Sequence, residues 1–239
     1  MASVASIAKN DESKHDAING EQSNGQSKRP RIMIADDHAL VADACKKLLE
    51  PENDVVATVG DGRALVRIAA TLKPQLIIVD VGMPLLNGLD ATYQLKELLD
   101  SIKFVFLTMN ADPLLAAEAF RCGASGYVLK TCAASELILA VREALKGRCY
   151  LSPAIAKETI DVLLHKVTAF AEERQRLSER QREVLQLLME GKSMKEVAYM
   201  LDVTLSTVAF HKLRIKEILN TRSNADLVQF AIKHYMIAA

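Results

Sequence analysis

The chain has 239 residues, half of them hydrophobic, and equal numbers of acidic and basic residues. This length predicts two domains, each with its own core. The formal net charge of zero excludes a protein drawn to nucleic acid or membranes by its overall charge, so any basic surface must be local. The four cysteines lack metal-ligand spacing and are predicted to be free thiols. Without a bilayer-length apolar run or a signal-peptide core, we expect a soluble cytoplasmic protein with no membrane partner.

The first half of the chain divides into a polar tail and an alternating segment. Residues 1–30 contain too few large apolar side chains to offset the entropy of ordering, so we predict a disordered tail. Five apolar runs follow, each succeeded by a segment of helical period: RIMIA, DVVATV, QLIIVD, KFVFLT and GYVLK. This alternation predicts an α/β domain over residues 31–147, with a doubly wound, parallel, five-stranded sheet.

Polar side chains follow four of these predicted strands at the point where each ends. They are Asp36, Asp37, Asp80, Thr108 and Lys130. Open parallel sheets bind ligands beyond the carboxyl ends of their strands, so we expect all five side chains to meet in one crevice. Taken alone, Asp36 or Asp37 is equally well explained as the N-cap of the next helix.

The chemistry of this crevice suits transfer of a phosphoryl group to a carboxylate. Adjacent carboxylates repel each other unless a cation lies between them, and Mg²⁺ prefers oxygen ligands. We expect Asp37 and Asp80 to bind Mg²⁺ directly, with Asp36 acting through water. Asp80 is the predicted nucleophile, and Lys130 and Thr108 would stabilise the phosphoryl oxygens.

This segment resembles the receiver domain of two-component response regulators, which has a flavodoxin-like fold. The resemblance rests on the paired aspartates after the first strand, VDVGMPLLNG around Asp80, LTMNAD at Thr108 and GASGYVLK ending at Lys130. It implies that a sensor histidine kinase phosphorylates Asp80. It also implies that the backbone carbonyl of Gly82 completes the Mg²⁺ site and that Tyr127 is an aromatic switch residue.

The rest of the chain is predicted to be helical. Residues 148–176 are helical in period and become charged toward their end, which indicates a helical linker. Residues 177–239 contain four short helical segments, the first with Ser178 and Gln181 as a capping box and Gly191 as its stop. Two helices separated by a tight turn near Asp202 predict a small all-α helix-turn-helix domain.

This second domain resembles the LuxR/FixJ-type DNA-binding domain, so that the whole chain from Arg31 is similar to a NarL/FixJ-family response regulator. The stretch from Val203 to Arg222 has four basic residues and one acidic residue, which suits contacts with DNA phosphates. In the helix that follows the turn, Val208 and His211 lie on the face opposite the predicted DNA-binding residues, and we interpret them as packing residues. The predicted residues for binding double-stranded DNA are Ser206, Thr207, Ala209, Phe210, Lys212, Leu213, Arg214 and Lys216.

Three functions compete at this stage. The best supported is a phosphorylation-switched transcription regulator that becomes a homodimer when phosphorylated, with the last helix as a candidate dimer seam or an ordinary core element. The second is an enzyme with an aspartyl-phosphate intermediate, which would need an acid-base aspartate where this chain has Gly82. The third is a DNA-binding protein whose receiver is an unphosphorylated dimerisation platform. We therefore expect a regulator that is not an enzyme beyond its own phosphotransfer and dephosphorylation.

Overall fold

A computed structural model describes residues 29–99, 101–132, 134–165, 169–221 and 223–237. The predicted tail at residues 1–30 lies outside the described residues except for its last two positions. Within the described ranges, no helix combines the length and the apolar character that a membrane crossing requires.

The N-terminal domain alternates strands and helices along the chain, as predicted. Its elements are β1 (Arg31–Ala35), α1 (Ala39–Leu49), β2 (Asp54–Val59), α2 (Gly62–Leu72), β3 (Leu76–Val79), α3 (Gly88–Leu98), β4 (Lys103–Thr108), α4 (Pro113–Arg121), β5 (Gly126–Leu129), α5 (Ala134–Leu145) and β6 (Tyr150–Leu151). All strands are parallel, in the order β2-β1-β3-β4-β5-β6. The five predicted strands are present, and the two-residue β6 adds a sixth at the edge.

The sheet separates two hydrophobic clusters because alternate residues of each strand point to opposite faces. On one face, Ile32 and Ile34 pack with residues of α1 and α5. On the other, Met33 and Phe104 pack with residues of α2, α3 and α4. The central strands β3 and β4 are buried on both faces, which explains why their sequences show no polar alternation.

Among the described residues after β6, the structure has six helices. They are α6 (Pro153–Leu164), α7 (Ala169–Gln175), α8 (Glu179–Met189), α9 (Met194–Met200), α10 (Leu205–Ile218) and α11 (Asn224–Lys233). Helix α6 packs along α4 of the first domain. Helices α8 to α11 surround a third hydrophobic cluster.

Local sequence signals fix the ends of these helices. The predicted capping box is confirmed, since the Ser178 side chain accepts a hydrogen bond from the Gln181 backbone N–H and the Gln181 side chain accepts one from the Ser178 backbone N–H. Gly191 follows α8 with a φ of +84°, a conformation that favours glycine. The turn between α9 and α10 includes Asp202 with φ +52°, which confirms the predicted helix-turn-helix outline.

Candidate phosphoacceptor crevice and DNA-binding helix

The structure brings the predicted polar residues together at the carboxyl edge of the sheet. Asp36 and Asp80 are each only 5% exposed. The Lys130 ammonium lies between them, with Nζ 2.8 Å from Asp36 Oδ2 and 2.7 Å from Asp80 Oδ2. Burial lowers the pKa of Lys130, but hydrogen bonds to the two carboxylates more than offset this and raise it above its usual value. The lysine therefore holds a full positive charge at neutral pH.

A group of possible metal ligands lies beside this ion pair. One ligand atom from each of Asp36, Asp37, His38 and Asp80 falls within 4.8 Å of the others. The three carboxylates supply the oxygen donors that Mg²⁺ prefers, so the residues present fit a magnesium ion. The His38 side chain is largely exposed, and its Nδ1 lies 2.9 Å from Asp37 Oδ1.

Thr108 and Tyr127 lie on neighbouring strands and both contact the β4–α4 loop. Thr108 is buried, and its hydroxyl accepts a hydrogen bond from the backbone N–H of Asn110 at 3.2 Å. The Tyr127 ring is fully buried, and its hydroxyl donates to the Asn110 carbonyl oxygen at 2.8 Å. One loop residue thus connects the threonine at the crevice to the aromatic side chain beneath the loop.

The loop after Asp80 turns tightly against its own strand. The Gly88 N–H donates to the Val81 carbonyl oxygen at 2.9 Å. A Cβ atom at Gly88 would lie 2.0 Å from the carbonyl oxygen of Asp80, so only glycine fits this close approach. Gly82, by contrast, is exposed, has no heavy atom within 4 Å of such a Cβ position, and lines the crevice together with Asp80.

Helix α8 of the second domain binds the same loop through its polar side chains. The Gln186 side-chain carbonyl accepts hydrogen bonds from the backbone N–H and the side-chain amide of Asn87, at 2.9 and 3.0 Å. Gln186 also donates to the Met83 carbonyl oxygen at 3.1 Å. Glu190 accepts from the backbone N–H of Leu85 at 3.0 Å. The segment that joins Asp80 to α3 is therefore held by α8.

A buried ionic cluster lies next to these hydrogen bonds. Asp90, 3% exposed in the first turn of α3, faces two arginines from beyond the receiver. Its Oδ1 lies 2.8 Å from Arg174 Nη2 and 2.6 Å from Arg182 Nε. Burial alone would raise the pKa of Asp90, but the two arginines and a hydrogen bond from Asn87 hold it below its usual value. The carboxylate is therefore ionised at neutral pH. Its ion pairs with Arg174 and Arg182 join the receiver to the part of the chain that follows it.

Each domain also packs an apolar side chain against the hydrophobic cluster of the other. Leu85 of the first domain, with φ +66°, packs against the cluster formed by α8 to α11. Tyr235, just after α11, packs against the first domain's cluster, and its hydroxyl donates to the Asp112 carboxylate. Within α11, Leu227 and Ala231 are buried in their own domain, whereas Val228 is 36% exposed. The last helix, offered above as a dimer seam or a core element, thus contributes to a core, and the segment just after it makes an interdomain contact.

The outer face of α10 points away from the contacts between the two domains. Phe210 and Leu213 are each 58% exposed, although both are large apolar residues. Val208 is fully buried on the opposite face, and His211 is half-buried with its ring edge-on to Phe210, in line with the predicted packing role. The side chains of Ser206, Ala209 and Arg214 are also exposed, while Thr207, Lys212 and Lys216 are half-buried. All eight predicted DNA-binding residues lie on this one helix.

Models of two protein families match the chain. Residues 32–142 match the response regulator receiver domain, and residues 175–231 match the bacterial regulatory proteins of the luxR family. The chain is a two-component response regulator of the LuxR family. Such regulators control transcription and are not enzymes in the usual sense, which confirms the transcription regulator that the first and third of the competing functions share and excludes the second.

Individual relatives agree with this assignment. The oxygen regulatory protein NreC of Staphylococcus epidermidis is 32% identical over 215 residues, which is 87% of this chain and 99% of that protein. A Salmonella typhimurium RcsB response regulator structure is 28% identical, with a TM-score of 0.57 over 87% of this chain and 98% of that one. A structure described as an RcsB–DNA complex is 26% identical, with a TM-score of 0.53 over 86% and 99%.

Sequence reasoning did not find the residues through which this regulator joins its domains. Asp90 has the spacing of an ordinary capping partner, three residues after the N-cap Asn87. Arg174 belongs to a charged stretch interpreted as a polar linker, yet it is 1% exposed. Gln186 and Tyr235 lie on amphipathic segments where nothing marks a partner more than a hundred residues away. Arg182 has Glu179 three residues before it and Glu183 directly after it, so the local sequence already offers it acidic partners and gives no sign of Asp90.

Proposed function

We propose that phosphorylation of Asp80 switches this response regulator between two states of DNA binding. The observation that carries the proposal is the geometry at Asp80, a nearly buried carboxylate 2.7 Å from a lysine ammonium and beside two further aspartates. The family assignment supports the same role, and the receiver domain implies a sensor histidine kinase as the phosphoryl donor.

The chemistry follows from the positions of the side chains. An Asp80 carboxylate oxygen attacks the phosphorus of the incoming group, and the bond from phosphorus to the donor's leaving atom breaks with its electron pair remaining on that atom. Lys130 neutralises charge on the phosphoryl oxygens, and the Thr108 hydroxyl donates a hydrogen bond to one of them.

A magnesium ion would be held by Asp37, Asp80 and the Gly82 carbonyl, with Asp36 acting through water. When bound, it supplies positive charge at the transferring phosphoryl group. Asp37 is the most exposed of the three carboxylates and lies at the mouth of the crevice, and the backbone of Gly82 is open on the same side. Tyr127 would respond to the change at Thr108 through their shared contact with Asn110.

For the DNA-binding face, we propose the outer surface of α10. Its exposed apolar side chains, Phe210 and Leu213, suit thymine methyl groups in the major groove. Lys212, Arg214 and Lys216 suit phosphates, with Arg214 partly neutralised by an ion pair to Glu217 at 2.7 Å. The hydroxyls of Ser206 and Thr207 contact Thr204 at the start of the helix, where a DNA backbone would also approach.

The proposed organisation is a receiver at residues 31–147, a helical linker at 148–176 and a DNA-binding domain at 177–239. We further propose that the phosphorylated protein acts as a homodimer, so that two copies of α10 reach successive major grooves. A solved relative described as two RcsB dimers bound to two parallel DNAs gives a precedent for a dimer on DNA. Because the proposed target is DNA, the proposed location is the cytoplasm.

Phosphorylation is tested with Mg²⁺ and acetyl phosphate, followed by intact mass spectrometry. The wild type is expected to gain the mass of one phosphoryl group, and Asp80→Asn is expected to gain none because it lacks the nucleophile. Asp43→Asn, an exposed aspartate on α1, is the matched control and should behave as the wild type. Equal labelling of all three proteins, or of none when a kinase is also supplied, would contradict the assignment of Asp80.

The proposed phosphate contact at Lys212 is tested by salt-dependent binding to duplex DNA. Lys212→Ala is expected to weaken binding similarly for all sequences and to reduce the slope of log K against log salt by about 1, because one fewer counterion is released. Lys47→Ala, on the exposed face of α1, is the matched control and should leave the slope unchanged. A slope equal to that of the wild type would show that Lys212 does not contact DNA phosphates.

A further inference from the structure

The crevice around Asp80 is covered by the end of the chain. A cavity of about 420 Å³ is lined by Asp80, Thr108 and Lys130 on one side and by Ile232, Tyr235 and Ile237 on the other. The covering segment belongs to the DNA-binding domain, while the covered residues belong to the receiver. Asp37 and Gly82 line a second small cavity with Met236 and Ile237, so the cover extends to the proposed magnesium ligands.

Hydrogen bonds of the Tyr235 hydroxyl to residues of the β4–α4 loop hold this cover. The Tyr235 hydroxyl donates to Asp112, whose other carboxylate oxygen caps α4 through the Leu114 N–H. Asp112 also donates its backbone N–H to the Asn110 side chain at 2.8 Å. The tyrosine is therefore anchored on the loop that follows Thr108, which is the loop that Tyr127 contacts from below.

The face of α10 that we assign to DNA remains exposed in this arrangement. Phe210 and Leu213 point to solvent while Tyr235 lies in the crevice, so the docked state hides the phosphoacceptor and leaves the DNA-binding face open. The contact consequently acts on phosphoryl transfer to Asp80 more directly than on recognition of DNA.

We propose that residues 232–237 form a gate over the Asp80 crevice, latched by Tyr235 on Asp112, which slows phosphorylation until the two domains separate. The gate rests on the proposed phosphorylation of Asp80. Because the open state alone would accept a donor, the rate of phosphorylation is proportional to its population. By reciprocity, a phosphoryl group on Asp80 weakens the docking of the gate and releases the end of α11.

The latch is tested with Tyr235→Phe, which removes the hydroxyl and keeps the ring. Asp112 is left intact because it also caps α4. With acetyl phosphate and Mg²⁺, the initial rate of phosphorylation is expected to rise at least about fivefold, because the loss of a single hydrogen bond already changes the population by this factor and the hydroxyl bonds both Asp112 and Asn110. Tyr235→Ala should raise it further. Tyr199→Phe, at a tyrosine that is 89% exposed on α9, is the matched control and should leave the rate unchanged.

A second measurement judges the gate without phosphorylation. Amide hydrogen exchange in residues 109–112 and 232–237 should increase together in unphosphorylated Tyr235→Phe, because each segment protects the other. Equal rates and unchanged exchange would overturn the gate while leaving phosphorylation of Asp80 in place. If neither the wild type nor the Tyr235 variants take up a phosphoryl group, the proposed function fails, and the exchange data alone decide whether Tyr235 holds the domains together.

Discussion

Replacing Asp90 with asparagine is expected to lower the stability of the docked protein by about 3–5 kcal/mol, the cost of removing one partner from a buried ion pair. The substitution keeps the shape of the side chain but leaves Arg174 and Arg182 without their shared carboxylate. Both arginines are nearly buried, so their charges then lack compensation unless the domains separate.

Two measurements test the effect of Asp90→Asn. Chemical denaturation monitored by circular dichroism should show the loss of stability, and small-angle X-ray scattering should show a larger radius of gyration if the domains separate. The matched control is Glu52→Gln, which breaks the fully exposed pair with Arg142 and should change neither result appreciably. An Asp90→Asn protein as stable and compact as this control would show that the ionic cluster does not hold the domains together.

Replacing Lys130 with methionine is expected to cost about 3 kcal/mol in the absence of Mg²⁺. The change removes the cation between Asp36 and Asp80, two carboxylates that are almost buried and close to Asp37. Added Mg²⁺ would then replace the lost positive charge. Mg²⁺ should therefore raise the melting temperature of this variant more than that of the wild type, because ligand binding to the folded state stabilises it.

Thermal melts in EDTA and in MgCl₂ test this expectation. Lys146→Met, at an exposed lysine 3.4 Å from Glu143, is the matched control and should melt like the wild type under both conditions. An equal rise in the melting temperatures of Lys130→Met and of the wild type would show that Mg²⁺ does not replace the charge of Lys130, and no rise in either would show that the cation does not bind at these carboxylates.

The fold and the crevice could be predicted because their signals are local. A strand buried on both faces has a continuous apolar sequence, and a polar residue directly after it stands at the sheet edge whatever lies elsewhere in the chain. Five such residues in one parallel sheet converge by geometry alone. The helix-turn-helix was visible for the same reason, since capping residues such as Ser178 and Ser223 mark helix starts within a few positions.

The docking of the two domains could not be predicted because its signals are not local. Asp90 and Arg182 are 92 positions apart. The local sequence explains Asp90 as a helix-capping residue and Arg182 as a surface charge on an amphipathic helix, so neither residue indicates a distant partner. Two of the hydrogen bonds of Gln186 go to backbone groups of the other domain, which leave no trace in residue types. The short strand β6 was missed because two residues carry no period.

Leu85 and Tyr235 each pack against the hydrophobic cluster of the other domain, and this has a consequence for how the protein unfolds. The family models divide the chain between residues 142 and 175, yet each domain completes its hydrophobic cluster with a side chain from the other. A fragment cut at that boundary would leave an apolar surface facing water where the missing side chain had been. While the two domains remain docked, we therefore expect heating to melt them in one transition, and two transitions are expected once the domains have separated.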